Sequence, residues 1–163
     1  MKWVWLVGGL VLCAGAGAWL YASRLPATVT TVREAIVRAP VDRVFALVTD
    51  VAHQPEWRSD VGRITVADDG ASWVEHTRSG DDINFRAVET VPNSKFEIVY
   101  QSKLGFSGRW VGSFTPRDAE TTVFRIEETT TTPSILGRLM GRIFAPPGSH
   151  TDLYLNDLEK AVS

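Results

Sequence analysis

From Trp3 to Ala22 the chain carries no charged side chain, reading WVWLVGGLVLCAGAGAWLYA. A helix of about 20 apolar residues, rising ~1.5 Å each, is roughly 30 Å long, the thickness of a bilayer's hydrocarbon core. Trp3, Trp5, Trp19 and Tyr21 stand near the two ends, where amphipathic rings favour the headgroup level. Lys2 and Arg24 bracket the run, and Pro26 stops a helix just beyond it. The pattern predicts a membrane anchor over residues 1–25 and a second unit over residues 26–163. A cleaved signal peptide competes with the anchor, because Lys2, the run to Leu12 and the small residues Ala14 to Ala18 fit one. The bulky Trp19, Leu20 and Tyr21 favour retention. Leu12 stands against lipoprotein cleavage before Cys13. Gly8, Gly9, Gly15 and Gly17 would also let two such helices pack closely. The balance of Lys2 against Arg24, Arg33 and Arg38 does not fix orientation. So short an amino-terminal tail favours a single-pass protein with its folded part outside the cytoplasm.

Beyond Pro26 the composition turns mixed and the pattern changes to strands. TVTTVREAIV from Thr28 is rich in β-branched residues. Pro40 and VDRVFALVTDV follow, with Val41, Val44, Phe45 and Val48 on one helical face and Pro40 at the start. Pro55 breaks the next piece into a short turn-like helix. Six strand candidates come after, namely GRITVA, ASWVEHT, INFRAVETV, KFEIVYQ, FSGRWVGSFT and TTVFRIEETT, joined by short turns such as Asp68-Asp69-Gly70 and Pro92-Asn93. Strands of this length joined so briefly predict an antiparallel meander. Two helical stretches close the chain, SILGRLMGRIF and HTDLYLNDLEKAV, divided by Pro146-Pro147-Gly148. The order predicts an α+β fold in which one sheet covers a helix.

Charge and composition exclude several functions. A net charge of -2 and a pI of about 5.9 leave no basic surplus to neutralise a nucleic-acid backbone. One cysteine excludes an intramolecular disulfide and a Cys-rich zinc site, and three histidines leave little for any metal centre. No nucleophile motif, phosphate loop, HExxH or Cys-x-x-Cys pair is present, so no residue is assigned as catalytic and no cofactor is implied.

IVRAPVDRVFALVTDVAHQPEWRSDV resembles the opening of the START-related helix-grip superfamily, the polyketide cyclase/dehydrase-like or SRPBCC proteins. The shared features are Ala39-Pro40, Val44 and Phe45, Asp50, and Pro55-Glu56-Trp57. Gly108-Arg109-Trp110 and the ending with Tyr154-Leu155 and Asp157-Leu158 are similar too. The resemblance runs over about residues 28 to 161. It implies a seven-stranded antiparallel sheet gripping a C-terminal helix over an apolar cavity, in a superfamily of lipid carriers, quinone-binding factors, aromatic cyclases and hormone receptors. Fold alone does not choose among them. Pro146-Pro147-Gly148 departs from a smooth last helix and predicts one that is kinked or divided.

Strand alternation puts Phe85 with Ala87, then Phe96, Ile98 and Tyr100, then Phe106, Trp110 and Phe114, then Phe124 and Ile126 on common faces. Tyr154, Leu155 and Leu158 can meet them from the last helix, and a filled core would show the same pattern. Gly105, Gly108 and Gly112 suggest sheet curvature, or space inside. His53 reads as part of a polar loop with Asp50, Glu56, Arg58 and Asp60. His76 shares a face with Val74 and is taken to point inward. Glu128 shares one with Phe124 and Ile126, so burial would raise its pKa unless Arg86 or Arg109 paired with it. The ligand-contact candidates are therefore Trp57, His76, Phe85, Tyr100, Trp110, Phe124, Glu128 and Tyr154. In ILGRLMGRIF, Ile135, Leu136, Leu139, Met140 and Ile143 form an apolar face. Arg138 and Arg142 are candidates for a membrane surface, and Gly137, Gly141 and Pro146-Pro147 for the hinges of a lid.

Together these readings predict a membrane-anchored domain that binds a hydrophobic small molecule or lipid, such as a quinone, an acyl chain or a polyketide-like aromatic, without chemistry. The alternatives are a cyclase or dehydratase, which would need His76, Glu128 and Arg86 or Arg109 in mutual contact, and a protein-interaction module with a filled cavity.

Overall fold

The structure is a computed structural model describing residues 15–163. Helix α1 covers residues 15–24 of the described chain. Strand β1 (Thr28–Val37) is followed by helix α2 (Val41–Thr49) and a 3-10 turn (Val51–Glu56). Six strands succeed one another: β2 (Val61–Val66), β3 (Ser72–Thr77), β4 (Asp82–Val91), β5 (Lys95–Ser102), β6 (Ser107–Pro116) and β7 (Thr122–Thr131). Helices α3 (Ile135–Phe144) and α4 (Ser149–Val162) end the chain. The strand order is β1-β7-β6-β5-β4-β3-β2, every pair antiparallel. Each strand after β2 pairs with its predecessor, and only β1 crosses over, to β7. The α+β helix-grip prediction is met in its seven-stranded antiparallel sheet and terminal helices.

Among the described residues no helix is long and apolar enough to cross a membrane. The predicted anchor lies mostly in residues 1–14, outside the described residues; its remainder is helical in α1.

One sheet face carries the helices. Val44 and Val48 of α2 are fully buried and Val41 and Phe45 half-buried, with the Phe45 ring edge-on to Phe114 at 5.2 Å. Leu155, Leu158 and Val162 of α4 are buried, each contributing about 1.5–3 kcal/mol by leaving water. The predicted division of the last helix is real. Gly148 closes it off at φ +88°, a conformation that glycine alone adopts at no cost. A Cβ there would also overlap the guanidinium of Arg33, which pairs with Asp152 at 2.6 Å and ties the first turn of α4 to β1. No residue of α3 is buried.

Candidate functional site

The inner face is built in cross-strand rows. Trp73, Phe85, Tyr100, Gly108 and Thr130 form one row, and Ala87, Ile98, Trp110 and Glu128 form the next. Trp73 stacks on Phe85 at 5.5 Å, with the planes 4° apart. Phe85 meets Tyr100 at 5.5 Å, and Phe106 meets Tyr100 edge-on at 6.3 Å. Deeper in, Trp110 contacts Phe124 and Tyr154, and Tyr154 also takes the edge of Trp57 at 5.2 Å. Aromatic contacts of this kind add about 0.5–1.5 kcal/mol each beyond burial. Away from α4 the inner face is less covered: Ile64, Ile83, Phe85, Ala87 and Phe106 are only partly buried.

Glu128 sits among these rings and is held by hydroxyls. Tyr100 donates to Glu128 Oε1 at 2.8 Å, and Thr151 of α4 donates to Oε2 at 2.9 Å. Thr130 Oγ1 lies 2.7 Å from the same phenol. A Cβ on Gly108 would overlap the Tyr100 hydroxyl, so that glycine makes room for the bond. Burial, and then the Glu128 charge, push the Tyr100 phenol well above its ordinary range. The phenol is therefore a donor at neutral pH.

A second polar group lies where the 3-10 turn meets β3. Arg58 donates to Glu75 Oε1 and to Gln54 Oε1, each at 2.8 Å, and forks onto Asp60. Its guanidinium also faces the Tyr154 ring at 5.4 Å. Burial alone would depress the guanidinium, but the charges of Glu75 and Asp60 prevail and its pKa is raised. Asp157 accepts from the Ser59 amide and hydroxyl, joining α4 to the same loop. The buried indole N–H of Trp57 has no acceptor among the described residues.

The structure corrects several expectations. The inward positions of β3 are Trp73 and Glu75, so His76 lies on the outer face, bonded to Asp82 at 2.6 Å and near Thr65 at 3.2 Å. Alternation gave the period, but the phase was set by the larger Trp73 taking the core. Arg109 does not pair with Glu128; it clasps Glu97 on the outer face at 2.7 Å, and Arg86 is exposed there too. His76, Glu128 and these arginines therefore do not form one catalytic group. Arg138 donates to Leu25 O at 2.6 Å, while Arg142 is exposed. The exposed apolar residues of α3 are Leu136, Met140, Ile143 and Phe144. Gly108 and Gly112 serve close ring packing, under Tyr100 and Trp110 respectively. His53 does sit in a polar loop, on Asp50 at 2.9 Å.

Of the ligand-contact candidates, Phe85, Tyr100, Trp110, Phe124, Glu128 and Tyr154 are brought together on the inner face, with Trp57 on Tyr154. Trp73, Thr130 and Thr151 join them without having been singled out. Two open depressions, of about 480 and 400 Å³, lie chiefly among outer-face residues. The larger is flanked by the rows Asn84-Gln101-Ser107-Thr131 and Arg86-Val99-Arg109-Thr129. Among the described residues no group of three His, Cys, Asp or Glu side chains is placed to hold a metal ion.

The fold is similar to an aromatase/cyclase (Zhui) from Streptomyces sp. R1128, with a TM-score of 0.71 at 13% identity over 83% of this chain and 93% of that one. A START superfamily protein from Mycobacterium smegmatis aligns with a TM-score of 0.64 at 14% identity over 82% and 96%. Norcoclaurine synthase from Thalictrum flavum, solved with dopamine and hydroxybenzaldehyde, gives 0.61 at 15% over 83% and 88%. At these identities the likeness is one of fold. No curated protein matches in sequence. A family model does match, over residues 27–147, from β1 to the break before α4, and the chain belongs to the polyketide cyclase/dehydrase and lipid transport family.

Proposed function

We propose that this chain is a membrane-tethered binding domain for a hydrophobic small molecule or lipid with one polar end. The ligand lies along the partly buried apolar residues Ile64, Ile83, Phe85, Ala87 and Phe106, and its polar end meets Tyr100 and Glu128. The observation that carries this reading is Glu128 itself. It is a carboxylate on an apolar, ring-lined face, partnered by hydroxyls, where a structural pin would ordinarily be an apolar residue or an ion pair. The unpartnered indole N–H of Trp57 adds a donor that a ligand oxygen would satisfy. The fold neighbours that are named as a cyclase and a synthase act on organic molecules, which agrees with a ligand of that class. Residues 3–22 supply the tether, and the domain lies on the extracytoplasmic side.

The test is organic extraction and mass spectrometry of the full chain purified from membranes in mild detergent, beside the Glu128→Gln and Tyr100→Phe variants. A near-stoichiometric amphiphile in the wild type, depleted in both variants, is the expected result. Equal amounts in all three would show that the lipid is held elsewhere, and none in the wild type would overturn the binding role.

A further inference from the structure

Helix α1 enters the sheet and α3 leaves it at the same point. Thr28, the first residue of β1, is paired with Thr131, the last of β7, and the ladder runs on through Thr132 N to Ala27 O at 2.7 Å. Arg138 then reaches from the first turns of α3 to the carbonyl of Leu25, just past the end of α1. Carbonyls at a helix end lack intrahelical donors, and a cation there meets the negative end of the helix dipole. The guanidinium thus holds the two helices together.

Both helices show apolar side chains to solvent. Leu136, Met140, Ile143 and Phe144 are spaced i, i+4, i+7 and i+8, one face of a helix, and are exposed by 46% to 74%. Trp19, Leu20 and Tyr21 of α1 are more than half exposed. So many large apolar side chains left exposed on two helices mark a contact, and charge says with what. Neither residues 1–33 nor residues 129–151 contain a single Asp or Glu, though the chain has 19 of them. The same segments hold Arg24 and Arg142, both exposed.

We propose that α3 lies in the surface of the bilayer that residues 3–22 enter, with Leu136, Met140, Ile143 and Phe144 among the acyl chains and Arg138 latching it to α1. Arg24 and Arg142 then meet anionic headgroups. The inference rests on the tether proposed above. It also gives the ligand a route: Thr130, which bonds Tyr100, lies five residues before α3 begins, so the binding face opens toward the membrane.

The experiment is depth-dependent fluorescence quenching on the full chain reconstituted in vesicles of phosphatidylcholine and phosphatidylglycerol. In a Cys13→Ser background, an NBD label is placed through Met140→Cys or, as a control at the opposite end of β7, through Glu120→Cys. Doxyl-labelled lipids are expected to quench the label at position 140 several-fold more than that at 120, and aqueous iodide to do the reverse. Adding Arg138→Ala should reduce the lipid quenching at 140 while the chain stays in the vesicles. Equal quenching at the two positions overturns the proposal, as does unchanged quenching with Arg138→Ala for the latch. A label at 140 that is hidden from both quenchers means that a protein covers the face, which also overturns it. A chain that never enters vesicles removes the tether itself, a failure distinct from these and from that of the extraction test.

Discussion

The Tyr100 phenol reaches Glu128 across β6, through a gap that exists because residue 108 has no side chain. Tyr100 pairs with Gly108 in the ladder, and Gly108 with Thr130. The ring therefore lies over the glycine and its hydroxyl arrives between Glu128 and Thr130. One missing methyl group leaves room for the only donor of the tyrosine side chain.

Gly108→Ala should accordingly destabilise the domain by about 1–3 kcal/mol, as overpacking does where backbone and ring both block the new atom. Gly141→Ala is the counterpart. Its Cβ meets open space within α3, so it should stabilise by about 0.5–1 kcal/mol through helix propensity. Urea unfolding of the two variants checks both signs.

Arg58 and Glu75 are 12% and 4% exposed at their side chains. Truncating either leaves the other charge buried without its partner, at a cost of about 3–5 kcal/mol. Arg58→Met and Glu75→Gln should each fall in that range, and the double variant should lose less than their sum. A double-mutant cycle by denaturant unfolding measures the difference. Strict additivity would mean that Asp60 and Gln54, not Glu75, hold the guanidinium.

Thr151 is nearly inaccessible, and its hydroxyl ties α4 to Glu128 at 2.9 Å. Thr151→Val keeps the shape but removes a hydrogen bond to a charged group, which costs about 1.5–3 kcal/mol. Amide exchange should rise in the first turns of α4 before it rises in β7. Exchange that rises equally in both would show that the helix and sheet open as one unit.

The element order was legible in the sequence because each strand alternates and each turn carries its own glycine, proline or aspartate. The rows Phe96-Ile98-Tyr100 and Phe106-Trp110-Phe114 could be assigned to the core for the same reason. What failed was phase in β3, where Val74 and His76 alternate as well as Trp73 and Glu75 do, and only tertiary packing chooses between them. Arg58 was unreadable for a related reason. Its loop is polar in composition, and nothing local says that one of five polar residues will be buried beneath Tyr154. The Glu128 partners lie on β5 and α4, 28 and 23 residues away, and pairing across such distances follows from tertiary packing and register.

Glu97 offers a pH-dependent test on the outer face. Its carboxylate takes Arg109 at 2.7 Å and Lys95 at 2.8 Å, and those bonds hold its pKa down at about 2, against an ordinary value of 4.5. The folded value is the lower one, so the unfolded chain binds the proton more readily. Stability from this group is thus present above pH 4.5 and lost as pH falls toward 2. Glu97→Gln should be less stable than the wild type at neutral pH, and the difference should close between pH 4.5 and 2. Urea midpoints of the two proteins across that interval check it. A constant difference would assign the loss to packing around Glu97 instead of its charge.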